Sequence, residues 1–167
     1  MPNQKVHNSY NNNKGSNHSS KKNDNNKKNN KTTEEIVNEV IETYFKDIKA
    51  DLLSLNNVTK IKTIFSKLEQ FVNETASGLS SSQLRNVYSK IIEAKTPIDL
   101  QLLRPNLAYV AARNEKLQAK QVMALIDYLI QQVDSDEKQK HFKKVMEAIV
   151  AYHKYSTTKE KNSNNEA

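Results

Sequence analysis

The sequence predicts an all-α protein, a compact bundle of about five or six helices that follows a disordered N-terminal tail. Only two glycines and three prolines occur among 167 residues, so few positions interrupt a helix. Beyond residue 31, apolar residues recur every three or four positions, which is the spacing of one helix face. Hydrophobic residues make up 36% of the chain and its mean hydropathy is -0.83. These values indicate one modest domain with a small core.

The predicted tail, residues 1–31, consists largely of Asn, Lys and Ser and contains seven lysines and one aspartate. Such a segment buries too little apolar surface to offset the entropy lost on ordering, which predicts disorder. It is either simply solvated or acts as a mobile polycation that holds phosphates. We predict three parts: this tail, a helical bundle over 32–155 and a disordered polar tail over 156–167.

The first two helices have recognisable start and stop signals. Thr32 and Glu35 form a capping box, and the apolar stripe that follows predicts a helix from Thr33 to Leu55. A second stripe predicts a helix from Val58 to Ala76, closed by Ser77-Gly78.

The third helix has the clearest start signal of the chain. Ser80 and Gln83 have the spacing of a capping box. Leu79 and Leu84 have the spacing of a hydrophobic staple around that box. Thr96-Pro97 ends the helix, because the residue before a proline avoids the helical region.

A short turn over residues 98–103 is predicted to lead into a fourth helical stretch at Arg104-Pro105. Proline suits the first helical position, where its missing N–H costs nothing and its φ is already helical. The stretch is predicted to run to Arg113, to bend near Asn114 and to continue as an apolar stripe as far as Val133.

The last helix is predicted to start at Asp134 and Glu137 and to end after Tyr155. Its apolar stripe faces the core. His153, which follows Tyr152 on this stripe, is interpreted as a structural histidine.

Motifs for catalysis and for cofactor binding are missing from the sequence. The chain has no cysteine, which excludes disulfides, thiolate nucleophiles and cysteine-based zinc sites. His141 and His153 have no metal-binding partner at helical spacing, and two isolated glycines cannot form a phosphate-binding loop. A Ser/His/Asp constellation stays open, because such residues assemble from distant positions. We expect no catalysis, no cofactor and no metal.

We expect a soluble cytoplasmic protein with no membrane partner. No apolar run approaches the roughly 18 residues of a membrane span. The N-terminus lacks the apolar centre of a secretion signal. The absence of cysteine fits a reducing compartment.

Positive charge in the predicted bundle concentrates in residues 80–124, which carry seven basic and three acidic residues. Residues 32–53 carry six acidic and two basic residues instead. All three arginines of the chain, Arg85, Arg104 and Arg113, lie in the basic window. Arginine suits bidentate contact with phosphate and stacking on bases, so this window is the candidate binding surface.

Within the basic window, Tyr109 and Arg113 lie one turn apart on one face of the predicted helix. The small side chains of Ala108, Ala111 and Ala112 leave room for the close approach of another backbone. We interpret Tyr109 as a core residue in preference to a base-stacking one. Each arginine has an equally weighted structural alternative. Arg85 can lie on a solvated face, Arg104 can satisfy carbonyls at a helix end, and Arg113 can snorkel or pair with an acid across the bundle.

Three stretches, in the same order and with similar spacing, resemble the signature stretches of the small subunit of the type III-A CRISPR effector, the Csm complex. The resemblance covers residues 79–155, and residues 1–78 show nothing that matches. The three stretches are Ser80–Tyr88, Leu103–Arg113 and Glu147–Lys154.

The resemblance implies a noncatalytic subunit that stacks in several copies and helps to hold CRISPR RNA and the target RNA paired with it. Its other implied partners are the backbone subunit and the large subunit, to which cleavage belongs. Base pairing already reads the target, so contacts to phosphate and 2′-hydroxyl groups are the appropriate kind. The implied RNA-binding or subunit-contact residues are Arg85, Arg104 and Arg113. We add Lys90, Lys116 and Lys120 as weaker candidates on the basis of their charge.

Two other functions stay open at this point. The chain can be a free-standing helical adaptor that binds a protein partner and uses its tail for solubility, or an unrecognised enzyme. For stacking, the charge asymmetry suggests that the acidic first helix of one copy meets the basic window of the next.

Overall fold

The computed structural model describes residues 31–165, with side chains as far as residue 159. The prediction of an all-α bundle is confirmed over this range, and the predicted tail lies outside it, apart from Lys31. Seven α-helices occur in the described part: α1 (Thr33–Val40), α2 (Val58–Thr75), α3 (Ser81–Glu93), α4 (Pro97–Leu102), α5 (Arg104–Ala112), α6 (Leu117–Gln131) and α7 (Asp136–Asn165).

The central helix of the bundle is α6. Five consecutive residues of this helix, 122–126, are buried. A helical segment that is buried on every side must be covered on every side. α1, α2 and α5 pack around α6 and cover this segment. α7 completes the bundle by packing against α2 and α3.

The first helix is shorter than predicted. α1 ends at Val40, and a π-helical turn over Ile41–Phe45 and a 3₁₀ turn over Lys46–Ile48 follow it. Phe45 leaves the helical region at φ -127° and ψ 8°. Its fully buried ring packs on Phe71, with 5.7 Å between the ring centroids. The prediction of one continuous helix is therefore wrong, because aromatic packing outweighs the local helix signal here.

A six-residue helix, α4, replaces the predicted turn over residues 98–103, so that prediction is wrong. The Thr96 hydroxyl accepts from the backbone N–H of Asp99, and the Asp99 carboxylate accepts from the backbone N–H of Thr96. The backbone hydrogen bond from Thr96 is the main reason that the pKa of Asp99 is lowered. Leu100 anchors α4 in the core. The sequence carried this capping box, but Pro97 was interpreted only as a helix stop.

The predicted bend near Asn114 is a complete break between α5 and α6. The Asn114 side-chain amide donates to the carbonyl of Val110 at 2.7 Å, which satisfies one of the free carbonyls at the end of α5. α6 then starts at Leu117.

The residue that caps the start of α7 lies one position later than predicted. The Ser135 hydroxyl accepts from the backbone N–H of Lys138 at 3.3 Å, so Ser135 takes the capping position that the sequence assigned to Asp134. Asp134 instead accepts from Lys138 Nζ at 2.7 Å.

The far end of α7 is also different, because the helix continues to Asn165 instead of ending after Tyr155. Ser156 is only 9% exposed, and the Thr157 hydroxyl donates to the carbonyl of His153 at 2.9 Å. No glycine or proline follows Tyr155 in the sequence to stop the helix. The prediction of the helix end is wrong, whereas the division of the chain into three parts stays a prediction.

His153 has the structural role that the sequence predicts. Its side chain is buried on α7, and Nε2 donates to the carbonyl oxygens of Ala76 and Leu79 at 3.1 and 2.9 Å. Because both partners are acceptors, the proton lies on Nε2. The histidine thereby ties α7 to the 3₁₀ turn Ala76–Gly78 that precedes α3.

Gly78 lies where this turn touches the start of α6. A Cβ atom at Gly78 would lie 2.4 Å from Gln118 Cβ and 2.6 Å from the backbone nitrogen of Ala119. The close approach of these two backbones therefore requires glycine.

We predict that Gly78→Ala lowers the free energy of unfolding by about 1–3 kcal/mol, the usual cost of forcing extra volume into packed structure. Urea denaturation of the full chain, followed by circular dichroism, measures this change. Ser77→Ala, at the exposed neighbouring position, is the control and should stay within about 0.5 kcal/mol of the original chain. Equal stability of the two variants would contradict the close approach.

Candidate nucleic-acid interface

Two side-chain hydrogen bonds join α3 to the α5 region in antiparallel order. Gln83, in the first turn of α3, donates to the side-chain oxygen of Asn114 just beyond α5, at 3.4 Å. Lys90, in the last turn of α3, donates to the side-chain oxygen of Asn106 at the start of α5, at 3.1 Å. The start of α3 therefore lies beside the end of α5.

Four of the predicted site residues lie on α3, on α6 and in the connection between α5 and α6. Arg85 lies just over one turn into α3, and Arg113 directly follows α5. Lys116 directly precedes α6, and Lys120 lies in its first turn. Lys116 Nζ donates to the carbonyl of Ser77 at 2.9 Å, which holds the connection against the turn before α3. We call the four residues Arg85, Arg113, Lys116 and Lys120 the basic corner.

The basic corner is not neutralised by acidic partners. Among residues 31–159, none of its four side chains forms an ion pair. Arg85 is exposed and makes no hydrogen bond within that range. Glu115 adds one negative charge in the α5–α6 connection. The surface therefore keeps an excess of positive charge that an anion can use.

Tyr109 and Arg113 form an exposed pair at the end of α5. Arg113 Nη1 donates to the Tyr109 hydroxyl at 3.0 Å, and the guanidinium carbon lies 5.3 Å from the centroid of the ring. This arrangement combines a hydrogen bond with a cation–π contact. The expected position of both residues on one helix face is therefore confirmed.

The prediction that Tyr109 is a core residue is wrong, because its side chain is 58% exposed. Leu107 is buried, and Val110 and Ala111, at three and four positions from it, are half-buried. That stripe defines the inner face of α5 and leaves Tyr109 on the outer face. The spacing of Leu107, Val110 and Ala111 predicts this outward position, whereas the average burial preference of tyrosine predicts the core.

Arg104 differs from the arginines of the basic corner because it is paired within the bundle. Its Nε donates to one carboxylate oxygen of Asp127 on α6 at 2.8 Å, and Nη2 donates to the other at 3.3 Å. The Arg104 side chain is 41% exposed and that of Asp127 is 18% exposed. The hydrogen bonds that Arg104 donates to Asp127 raise the pKa of Arg104. The pair joins the start of α5 to the last part of α6.

The small residues of α5 border a cleft of about 660 Å³ that also involves α1 and α6. Ala108, Ala111 and Ala112 line it, as the predicted room for a close approach requires. Arg104, Lys120 and Asp127 contribute the charged part of its lining from α5 and α6. The cleft therefore lies next to the basic corner and shares Lys120 with it.

Two absences hold for the part of the chain that the structure describes. No group of three or more His, Asp or Glu side chains is placed to hold a metal ion. No helix there has the length and apolar character that crossing a membrane requires.

A family model described as Csm2 Type III-A matches residues 57–159. The chain belongs to this family. It is a small subunit of the type III-A Csm complex, as the resemblance of residues 79–155 implied. The match also covers α2, which lies outside the three resembling stretches. No curated protein and no solved structure matches the chain.

We predict that the Arg104–Asp127 pair of this Csm2-family chain contributes to stability. A double-mutant cycle with Arg104→Ala and Asp127→Ala should give a coupling of about 1 kcal/mol, because the contact is bidentate but partly screened by solvent. The exposed pair Lys138–Asp134 is the control, with an expected coupling of about 0.3 kcal/mol. Urea unfolding of the single and double variants measures both values. A coupling free energy of zero between Arg104 and Asp127 would show that the pair does not stabilise the fold and would contradict the prediction.

Proposed function

We propose that this small subunit binds CRISPR RNA and its target RNA through the basic corner, independently of sequence, as a noncatalytic part of the Csm complex. Family membership supports the assignment to the complex. The geometry supports the choice of surface within the subunit.

The observation that carries the proposal is the separation of the candidate cations into two groups. Arg104 forms a bidentate pair with Asp127, so its charge serves the bundle. The charges of Arg85, Arg113, Lys116 and Lys120 have no carboxylate partner among residues 31–159. Unpaired cations on neighbouring helices attract a phosphate backbone.

Lys90 has an intermediate place in this proposal. Its ammonium group donates to the Asn106 side chain, which is neutral, so the positive charge persists. It lies about one and a half turns along α3 from Arg85 and extends the basic surface away from the corner. We assign it a supporting contact.

Sequence independence follows from the kind of groups that the corner offers. Arginine and lysine bind phosphate oxygens, which are the same at every nucleotide and carry no sequence information directly. Pairing between the guide and its target supplies the sequence reading in an RNA-guided complex, so the subunit needs only backbone contacts.

Stacking of several copies is part of the proposal, with less support from the geometry. Stacking would bring the acidic residues 32–53 of one copy against the basic window of the next. Two acids of this segment have partners in their own chain, Glu39 with Lys31 and Glu42 with Lys46. Both contacts are exposed and weak, so these acids can exchange partners when a second copy approaches.

We predict that Arg85→Ala combined with Arg113→Ala weakens RNA binding to a similar extent for unrelated sequences. Each lost phosphate contact should lower the slope of log affinity against log salt by about 0.7 on single strands, so the double variant should lose about 1.4. Fluorescence anisotropy of two unrelated single-stranded RNAs of equal length, titrated with the full chain at several salt concentrations, measures the slope.

The matched control for this experiment is Lys62→Ala combined with Lys140→Ala, which removes two exposed charges from α2 and α7. This control should lower the salt slope by less than half of the change expected for Arg85→Ala combined with Arg113→Ala. If both double variants behave alike, net charge alone controls binding and the basic corner is not the RNA surface.

A second experiment separates the proposed role from that of a free-standing adaptor. Tagged full chain, expressed together with the other Csm subunits and a guide, should co-purify with CRISPR RNA and with repeated copies of the backbone subunit. The Arg85→Ala, Arg113→Ala variant should co-purify with less RNA. If the chain instead migrates without RNA and without the other subunits, at low and at high salt, the result would favour the adaptor.

A further inference from the structure

The outer face of α5 carries an aromatic side chain that the bundle does not use. Tyr109 is 58% exposed, and its ring lies beside the basic corner, held by Arg113. We infer that Tyr109 is a stacking platform for one unpaired nucleobase of single-stranded RNA. This inference rests on the proposed RNA-binding function and adds to it a contact that phosphate binding does not require.

The ring is held in place before any ligand arrives. Arg113 restrains it through the hydrogen bond to the hydroxyl at 3.0 Å and through the contact of the guanidinium group with the ring, at 5.3 Å from the centroid. An aromatic side chain has only two rotatable bonds, so one hydrogen bond removes much of its freedom. Because the side chain is already ordered, it loses less conformational entropy when a base stacks on it, and the affinity is higher.

The surroundings of the ring leave space for a planar group. Two of its neighbours on the helix surface are Pro105, four positions before Tyr109, and Ala112, three positions after it. Both are exposed and too short to cover an aromatic ring. Ala108, the preceding residue, is also small and exposed.

Charge next to the ring suits the rest of a nucleotide. Arg113 touches the ring itself, and the start of α3, which carries Arg85, lies beside the end of α5. A base on the ring would thus place its phosphate near cations that lack an acidic partner among residues 31–159. Aromatic platforms next to basic residues are a general means of holding single strands without reading their sequence.

Tyr155 provides an internal comparison. It is 62% exposed on α7, so its ring is as accessible as that of Tyr109. Among the described side chains, however, no hydrogen bond or cation–π contact restrains it. Exposure alone is therefore common to both tyrosines, and the restraint by arginine distinguishes Tyr109.

The test compares Tyr109→Leu, Tyr109→Phe and the control Tyr155→Leu in the full chain. The RNA probes are a single strand and a blunt duplex of equal length. Tyr109→Leu should weaken single-strand binding by roughly 5- to 100-fold, the usual effect of losing one base stack. Tyr109→Phe should retain most of the affinity because the ring remains, and Tyr155→Leu should have no effect. Duplex affinity should change by less than about twofold in all three variants, since paired bases cannot reach the ring.

A spectroscopic readout uses the absence of tryptophan from the sequence. Tyr109→Trp introduces a single indole at the platform, and stacking on a base should quench its fluorescence upon addition of single-stranded RNA. Tyr155→Trp, as control, should stay bright.

The outcomes separate this inference from the proposed function. If the full chain binds neither RNA, the proposed function fails and the platform with it. If Arg85→Ala and Arg113→Ala weaken binding but Tyr109→Leu does not and the indole is not quenched, only the platform fails. If Tyr109→Leu instead reduces incorporation into the Csm complex with unchanged single-strand affinity, the ring contacts a protein subunit and the platform is again overturned.

Discussion

Burial of the middle of α6 is the constraint on which the rest of the bundle depends. Because residues 122–126 are all buried, no side of this part of the helix can face water, and α1, α2 and α5 must surround it. This requirement places α5 alongside α6 and joins their far ends through Arg104 and Asp127. It also brings the end of α5 and the start of α6 together at one point of the surface. The basic corner is thus a consequence of how the core is covered.

The fold was predictable from the sequence where local signals and burial agree. The Ser80–Gln83 capping box and the apolar stripe of α3 point to the same helix, and the structure contains it. Prediction failed where tertiary packing decides the backbone, as at the π-helical turn that buries Phe45. It failed also where one residue carries two signals, as at Pro97, which can end one helix or begin another.

The candidate site was only partly accessible to sequence reasoning. The arginine-rich window contains the residues of the proposed surface, but the sequence could not show that Arg104 pairs with Asp127 while Arg85 stays unpaired among the described residues. Asp127 lies 23 positions away, and such a pairing depends on the antiparallel packing of α5 and α6. Tyr109 shows the opposite case. Its outward direction follows from the spacing of Leu107, Val110 and Ala111, so helix phase is a better guide than the residue's average burial.

The turn that precedes α3 should tolerate insertions and deletions poorly because of its contacts. His153 accounts for the carbonyl oxygens of Ala76 and Leu79, Lys116 for that of Ser77, and the backbone of α6 leaves no room beyond Gly78. Surface turns usually accept insertions and deletions during evolution. One added residue here would shift every one of these partners at once, so this connection should keep its length even where other loops of the subunit vary.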